Sequence, residues 1–417
     1  MPSARARLAL FLTFTAGYFL SYFLRSANAV LAPELVRDLG LRPADLGLMT
    51  SAFFAAYAAA QVPVGLALDR WGPRGVATTL LAVGVGGALV FAAGTTWPTL
   101  AVGRVLLGVG TGSVLLAGLK AFALWWPPRR YATVSGLYFA AGSLGALAAT
   151  APLAWLAAAV GWRSVFVGAA AAVALVAAWI FVRVPRAPER HTRRGDAPAA
   201  EDLPAEPAAA GGARALALAA VVLLGAAHTG PVLAFQTLWG GPYLYDGYGV
   251  DPATAGRVLL WLSLGVSLGY ASSGAFADRW GLRRVTTSAA LAFGGAQWVL
   301  AALVPGTTPL AVVAAAYGTL GFTGGFCVLA LANARVLLGV GRSGGATGLV
   351  NGGSIAGVFA IQWAIGGVVQ AAGGPVGYRW ALLGTGALAV VAALVHAWTS
   401  ARALREASAA TTREPPT

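Results

Sequence analysis

Reactive side chains are scarce in this 417-residue chain. Its single cysteine, Cys327, sits inside an apolar stretch, which excludes a disulfide framework and a thiolate metal site. Three histidines and fourteen acidic residues supply no interior cluster from which membrane catalysis could be built. The phosphate-cradling pattern Gly-x4-Gly-Lys-Ser/Thr is absent, so ATP hydrolysis within the chain is not expected. No enzyme, cofactor or metal centre is anticipated. Charged residues make up only 10% of the chain, and of the 28 basic ones a single residue, Lys120, is lysine.

Apolar sequence takes the place of all this. A mean hydropathy of +0.74 rules out an ordinary soluble globule. Apolar runs of about 18 residues or more recur along the chain, each long enough to cross about 30 Å of hydrocarbon. Twelve spans are read at 8–32, 46–68, 76–95, 99–124, 131–156, 163–184, 215–244, 254–277, 285–304, 309–338, 343–371 and 378–399. The 56 glycines suit close helix packing in lipid. The first run lacks the short core and small-residue cleavage site of a signal peptide, so it is expected to remain as the first span.

A formal charge of +14 would suggest nucleic acid as a partner for a soluble protein. Here the placement argues against it. Nineteen arginines fall in the tails and in the connections from even to odd spans: Arg5, Arg7, Arg70, Arg74, Arg129, Arg130, the 183–214 stretch, Arg279, Arg283, Arg284, Arg342 and the C-terminal tail. Only five, Arg37, Arg42, Arg163, Arg257 and Arg379, fall on the other side. The positive-inside rule then puts both termini and the central loop in the cytoplasm. Richness in Ala, Gly, Pro and Arg fits a GC-rich bacterial genome, and so a bacterial inner membrane.

Composition also divides the chain. Residues 185–214 carry Pro, Ala, Glu, Asp and Arg with almost no large apolar side chain, as expected of a cytoplasmic linker. The expected order is an N-terminal six-helix bundle (1–184), that linker, a C-terminal six-helix bundle (215–399) and a disordered cytoplasmic tail (400–417). The two bundles repeat one another. Gly65-Leu-Ala-Leu-Asp69-Arg70-Trp71-Gly72-Pro73-Arg74 returns 209 residues later as Gly274-Ala-Phe-Ala-Asp278-Arg279-Trp280-Gly281-Leu282-Arg283. Gly161-Trp162-Arg163 is echoed by Gly377-Tyr378-Arg379, and Arg130 with Gly136 by Arg342 with Gly348. Halves of six spans share one orientation and are related by an axis along the membrane normal.

On these residues the chain resembles the major facilitator superfamily over all twelve spans. Gly65, Asp69, Arg70, Gly72 and Arg74, with Gly274, Asp278, Arg279, Gly281 and Arg283, match the family's loop motif. Pro73 and Leu282 stand where the family often has a basic residue. The glycine lets a neighbouring helix approach, and the aspartate can accept hydrogen bonds from an opposing helix N-terminus. In the family this loop latches the outward-open state. The resemblance implies an all-α polytopic membrane protein of two pseudo-symmetric six-helix bundles, working as a monomer. Arg104-Val-Leu-Leu-Gly108-Val-Gly110-Thr-Gly112 is similar to the family's helix-four motif, tied in relatives to helix packing and, in some antiporters, to proton coupling.

Charges within hydrocarbon are expensive, so those that remain are functional candidates. Four basic residues qualify, Arg25, Arg104, Lys120 and Arg335, whereas every Asp and Glu falls in a loop, tail or helix end. An interior with cations and no fixed counter-charge attracts an anion. Arg25 leads, because Tyr18, Ser21, Tyr22, Arg25 and Asn28 form one polar stripe at helical spacing. A guanidinium fork matches carboxylate or phosphate oxygens two at a time. The stretch 17–29 also resembles helix one of the organophosphate:phosphate antiporters, whose matching Tyr and Arg contact the substrate phosphate. Their second arginine, in helix seven, has no counterpart here, where Gln236 stands instead. That favours a carboxylate-type anion over a phosphate ester.

Lys120 reads as a second anion anchor, a proton-linked switch or a side chain reaching back to the cytoplasm. Arg335, seven residues before Arg342, also reads as reaching back. His228 has the titration range for proton coupling, with a hydrogen-bonded structural histidine as the alternative, and Gly230-Pro231 beside it should break the helix. Gln236, Trp239, Asn351 and Gln362 could line the second-half wall of a substrate cavity, or serve as interhelical bonds. The expected function is secondary active transport of a small organic anion by alternating access, as exchanger or proton symporter. An exporter of cationic or neutral drugs and a non-transporting membrane sensor are the competing readings.

Overall fold

Hydrocarbon offers a peptide group no hydrogen-bond partner, so each apolar run must satisfy its own backbone, and a helix does so. A computed structural model describes residues 4–40, 43–149, 151–185, 211–339 and 343–411, and these are helical almost throughout. The elements are α1 (Ala4–Leu39), α2 (Pro43–Ala93), α3 (Trp97–Trp125), α4 (Tyr131–Ala148), α5 (Ala151–Val160), α6 (Trp162–Arg183) and α7 (Gly211–Ala234). They continue as α8 (Gly240–Tyr248), α9 (Pro252–Trp280), α10 (Leu282–Ala302), α11 (Leu310–Gly324), α12 (Leu329–Leu338), α13 (Ser343–Ala372) and α14 (Gly374–Thr411).

Ten stretches of the described residues are long and apolar enough to cross a membrane. One of them, Ala52–Ala93, holds two crossings, because α2 folds back at Gly72 (φ 76°, ψ 168°). Only glycine adopts that backbone freely, and Pro73 then opens the second leg with its φ already helical. Gly281 (φ 91°) makes the same turn between α9 and α10. The pair α4 and α5 supplies one more crossing, interrupted where Pro152 lacks an amide donor. Twelve crossings result among the described residues.

Three elements depart from the sequence reading. Gly230-Pro231 does not break the seventh span; α7 runs through it to Ala234, and the irregularity follows as a π-helical turn at Phe235–Trp239. Proline leaves a helical carbonyl without its donor, and the wider turn re-phases the ladder just beyond. The tenth span is interrupted by a 3-10 turn at Gly325–Val328. Finally, α14 continues to Thr411, into the stretch expected as a tail, because Ala, Leu, Arg and Glu there are strong helix formers. The α7 helix likewise begins at Gly211, within the expected linker, and residues 186–210 of that linker lie outside the described residues.

The chain packs as two compact units. Unit 1 comprises Met1–Pro127, Tyr138–Ala197 and Val340–Leu349; unit 2 comprises Pro128–Leu137, Pro198–Gly339 and Val350–Thr417. In unit 1 the second leg of α2 lies against α3 through glycines, so that a methyl group on Gly87 would sit 2.7 Å from the Leu107 amide and one on Gly103 2.9 Å from that of Phe91. In unit 2 a methyl on Gly294 would come within 2.8 Å of the Gly386 carbonyl. Such contact replaces the hydrophobic drive that lipid removes.

The repeated Gly-aromatic-Arg landmark closes a matching corner in each unit. In unit 1 the Trp162 indole donates to Asp38 at 3.0 Å and Arg163 donates to the Gly94 carbonyl at 3.2 Å. In unit 2 the Tyr378 hydroxyl donates to Asp246 at 2.9 Å and Arg379 to the Ala301 carbonyl at 3.0 Å. An aspartate is thus tied to the start of the last span, while the arginine satisfies a carbonyl orphaned at a helix C-terminus.

The indole of Trp162 and the guanidinium of Arg37 hold the Asp38 carboxyl below its ordinary range. A pKa lowered by folding contributes stability that is present above the unfolded value, about 3.9 for Asp, and is lost as pH falls through the folded one. Trp162→Phe, which keeps the ring packed at 5.7 Å from Phe91, should therefore lower the melting temperature at pH 7. The gap from wild type should close below about pH 4, as read by thermal melting in detergent across pH.

Candidate functional site

An arginine placed inside a span must find something to hold its charge. On α1 the guanidinium of Arg25 lies 3.7 Å over the ring of Tyr22, a cation–π contact, and is only partly exposed. Tyr18, one turn before Tyr22, meets it edge-on at 4.9 Å and leans on Tyr138 of α4 at 4.6 Å. Tyr57 of α2 is a third phenol in the neighbourhood of Arg25, with Tyr22 and Tyr18. No carboxylate pairs with Arg25 among the described residues. The side chain of Asn28, on the same helix, lies outside the described residues.

Each outer tyrosine is seated on a glycine of a neighbouring helix. A methyl group on Gly112 would reach 2.5 Å from the Tyr57 ring, and one on Gly118 2.6 Å from the Tyr138 hydroxyl, which donates to the Val114 carbonyl at 2.8 Å. Gly142 likewise abuts the Tyr18 ring. Tyr57 and Tyr138 were not among the sequence candidates. The sequence signal available for Tyr57 is Gln61 four residues on, a polar neighbour in an apolar run whose amide donates to the Tyr57 carbonyl at 3.0 Å.

Arg104 serves α1 from below. Fully buried on α3, it donates to the Leu24 carbonyl at 2.9 Å and to the Arg25 carbonyl at 3.4 Å, with Phe53 under its guanidinium at 4.5 Å. It holds the turn of backbone that carries Arg25. Gly108 gives the approach that this needs, since it faces the Phe53 carbonyl, and Gly110 faces the backbone at Gly84.

Sixteen residues further along α3, Lys120 neither joins Arg25 nor reaches for water. Its ammonium donates to Asp69 at 2.6 Å, with the two side chains 4% and 17% exposed. The same carboxylate accepts the Gly344 amide at 2.8 Å on one oxygen and the Gly345 amide at 2.8 Å on the other. These amides open α13, where the helix dipole favours a negative charge. Gly65 and Gly344 let the two backbones meet, since a methyl on Gly344 would sit 2.7 Å from the Asp69 carboxylate.

The second motif, in unit 2, likewise meets the start of a helix, here through a side-chain hydroxyl. Asp278 accepts a hydrogen bond from Thr133 in the first turn of α4, and Gly274 abuts the Thr133 backbone. The guanidinium of Arg335, buried, lies 4.1 Å over the Tyr131 ring instead of extending to solvent, a cation–π contact. Arg70 and Arg279 lie over Trp71 and Trp280 at 5.4 and 5.8 Å, Arg74 over Phe181 at 4.5 Å, and Arg283 near His396.

The other candidates of unit 2 engage one another. The Trp239 indole donates to the Gln362 carbonyl at 3.1 Å and the Gln362 amide to the Thr237 hydroxyl at 3.1 Å, so the π-helical turn is bound to α13. Gln236 donates to Ser263 at 3.3 Å. Asn351 is buried within α13. His228 is buried too, stacked 4.7 Å from Phe293, with Nε2 3.1 Å from the Thr323 carbonyl. A carbonyl only accepts, so Nε2 carries the proton.

Twelve apolar crossings, with an acidic loop motif docked on a helix N-terminus in each unit, define a multi-pass membrane protein of duplicated design. Residues 14–241 match the Major Facilitator Superfamily, and the chain belongs to that superfamily. It is 33% identical over 151 residues to the Probable sulfoacetate transporter SauU of Cupriavidus necator, covering 36% of this chain and 35% of that protein. It is 33% identical over 129 residues to the Nitrate/nitrite transporter NrtP of Picosynechococcus sp., covering 31% and 24%. It is 29% identical over 177 residues to the Hexuronate transporter of Escherichia coli, covering 41% and 40%. The chain thus spans well under half the length of these curated relatives. Among solved structures, the E. coli fucose:proton symporter FucP superposes with a TM-score of 0.66 at 16% identity, over 93% of this chain and 98% of that one. The proton:xylose symporter XylE gives 0.73 at 15% identity, over 94% and 95%. These two likenesses establish the fold alone.

Removing Asp69 strands a buried ammonium and two helix-terminal amides. Asp69→Ala should cost about 3–5 kcal/mol, and the double variant with Lys120→Ala should be more stable than Asp69→Ala alone. A double-mutant cycle read by thermal melting should give a coupling of about 0.5–3 kcal/mol.

Proposed function

We propose that the protein is a secondary active transporter that moves a small organic anion across a bacterial inner membrane by alternating access, both termini being cytoplasmic. The observation that carries this reading is Arg25, a partly exposed guanidinium held over Tyr22 and surrounded by phenols, with no carboxylate pairing among the described residues. Stacking occupies the face of the guanidinium and leaves its in-plane N–H groups to meet two oxygens of one anion. Phenol hydroxyls nearby can donate to the same oxygens. Sulfoacetate, nitrate and hexuronate, which name three of the relatives, are all anions, and that supports the reading.

A carboxylate-type anion fits better than a phosphate ester. A doubly charged phosphate calls for more than one cation. Arg104 is committed to the α1 backbone, Lys120 to Asp69 and Arg335 to Tyr131, which leaves Arg25 alone. Tyr18, Tyr22, Tyr57 and Tyr138 shape the pocket, and Asp69 and Asp278 hold the cytoplasmic loops.

Thermal melting of the purified protein against monocarboxylates, amino acids, phosphate esters and inorganic anions tests this. A ligand present at 100 times its Kd stabilises by about 2.7 kcal/mol, so a bound monocarboxylate should raise the melting temperature of wild type. Arg25→Ala should show no shift, and Arg25→Lys, lacking the fork, should bind at least about tenfold more weakly. Equal stabilisation of wild type and Arg25→Ala, or stabilisation by cations only, would overturn the reading.

A further inference from the structure

A helix leaving hydrocarbon passes through a layer of lipid headgroups, and the side chains it exposes there choose among them. In unit 1 that layer is met by the Gly72 turn of α2 and by the end of α6. Arg74 joins the two, its guanidinium lying 4.5 Å over the Phe181 ring. Arg70, before the turn, lies 5.4 Å over Trp71, and Arg183 stands in the last turn of α6, one turn after Trp179. The rings are not covered by protein: Trp71 is 66% exposed and Phe181 54%, with Val182 exposed beside them. Charge of the opposite sign is missing here. Residues 70–96 and 163–188 contain no Asp or Glu, and Asp69 is held by Lys120 and two amides. None of the three arginines pairs with a carboxylate among the described residues.

Stacking takes the face of a guanidinium and leaves its edge, where the N–H donors lie in one plane, for a second partner. A phosphodiester fits that edge, since its two free oxygens share one negative charge and match the fork. An apolar tail attached to the phosphodiester would continue over the exposed rings and Val182. We propose that the Gly72 turn and the end of α6 form a seat for the headgroup of an anionic phospholipid, its phosphodiester on Arg74 and the charges of Arg70 and Arg183 adding to the attraction. A zwitterionic lipid brings its own ammonium into the same positive field and is disfavoured. Unit 2 repeats the pairing of arginine with exposed tryptophan, Arg279 over Trp280 and Arg402 over Trp398, but there an acid, Glu406, follows Arg402 by four residues. Asp69 lies next to Arg70, so an occupied seat steadies the loop that clasps α13. The seat is independent of what Arg25 binds.

The test uses the full-length protein, purified in detergent and depleted of lipid, with phosphatidylglycerol, phosphatidylcholine and inorganic phosphate as probes. Native mass spectrometry reads the tightest bound lipid and thermal melting reads stabilisation. Phosphatidylglycerol should bind and raise the melting temperature, and phosphatidylcholine at the same concentration should do neither. Each arginine near an anionic headgroup is worth about fivefold in affinity. The double variant Arg74→Gln with Arg183→Gln should therefore bind phosphatidylglycerol about thirtyfold more weakly, while melting like wild type without lipid. Should the double variant melt lower, Arg183→Gln alone, at an exposed position, should still lose about fivefold. Arg257→Gln removes the same charge from an exposed site in unit 2 and should bind like wild type. Equal binding of the two lipids, unchanged binding by the Arg74 and Arg183 variants, or an equal loss in Arg257→Gln would overturn the seat. Equal stabilisation by inorganic phosphate would overturn it too, because the acyl chains would then contribute nothing.

Discussion

Backbone can touch backbone in this protein only where side chains are missing, and the reach of its polar groups follows from that. Lipid supplies no hydrophobic drive between helices, so association depends on close packing and on hydrogen bonds that close packing permits. Asp69 can reach two amides of α13 because Gly65 and Gly344 bring the helices together. The rings of Tyr18, Tyr57 and Tyr138 converge because Gly142, Gly112 and Gly118 leave room for them. Glycine is a poor helix former in water. In hydrocarbon, where an unfolded backbone is not an option, that weakness costs little and the closeness gained is worth more.

The cations of the spans divide by the partner each has found. Arg104 satisfies itself on carbonyls of α1, Lys120 on a carboxylate and Arg335 on an aromatic face. The carbonyls take two donors of Arg104, and the carboxylate neutralises Lys120. Among the described residues Arg25 has π-faces and phenols around it and no carboxylate pairing. On the proposed reading, one charge of four is kept for cargo and three hold helices. The chain thereby concentrates its electrostatic attraction at one place.

Much of this was legible in order of sequence. Long apolar runs, the repeated loop motif and the arginine bias reported the crossings, because each depends on composition over many residues. The stripe Tyr18–Tyr22–Arg25 was legible because helical spacing is local. Tyr57 and Tyr138 were not, since they come from other helices and only packing brings them to Tyr18. The Lys120–Asp69 pair spans 51 residues, and nothing local in either neighbourhood announces the other. Gly230-Pro231 misled for a different reason. A proline does not always end a helix, and the strain here is released in the π-helical turn that follows.

Arg104 and Lys120 lie on one unbroken helix, sixteen residues and about 24 Å apart. One end of this rod grips the backbone behind Arg25, and the other grips the carboxylate of the loop motif. A rod pivoted at one end magnifies at the other. A tilt of about 5° about Arg104 carries the lysine through about 2 Å, enough to take a 2.6 Å hydrogen bond out of range. A displacement at the arginine too slight to disturb its own neighbours thus becomes, a few turns away, the difference between a closed clasp and an open one.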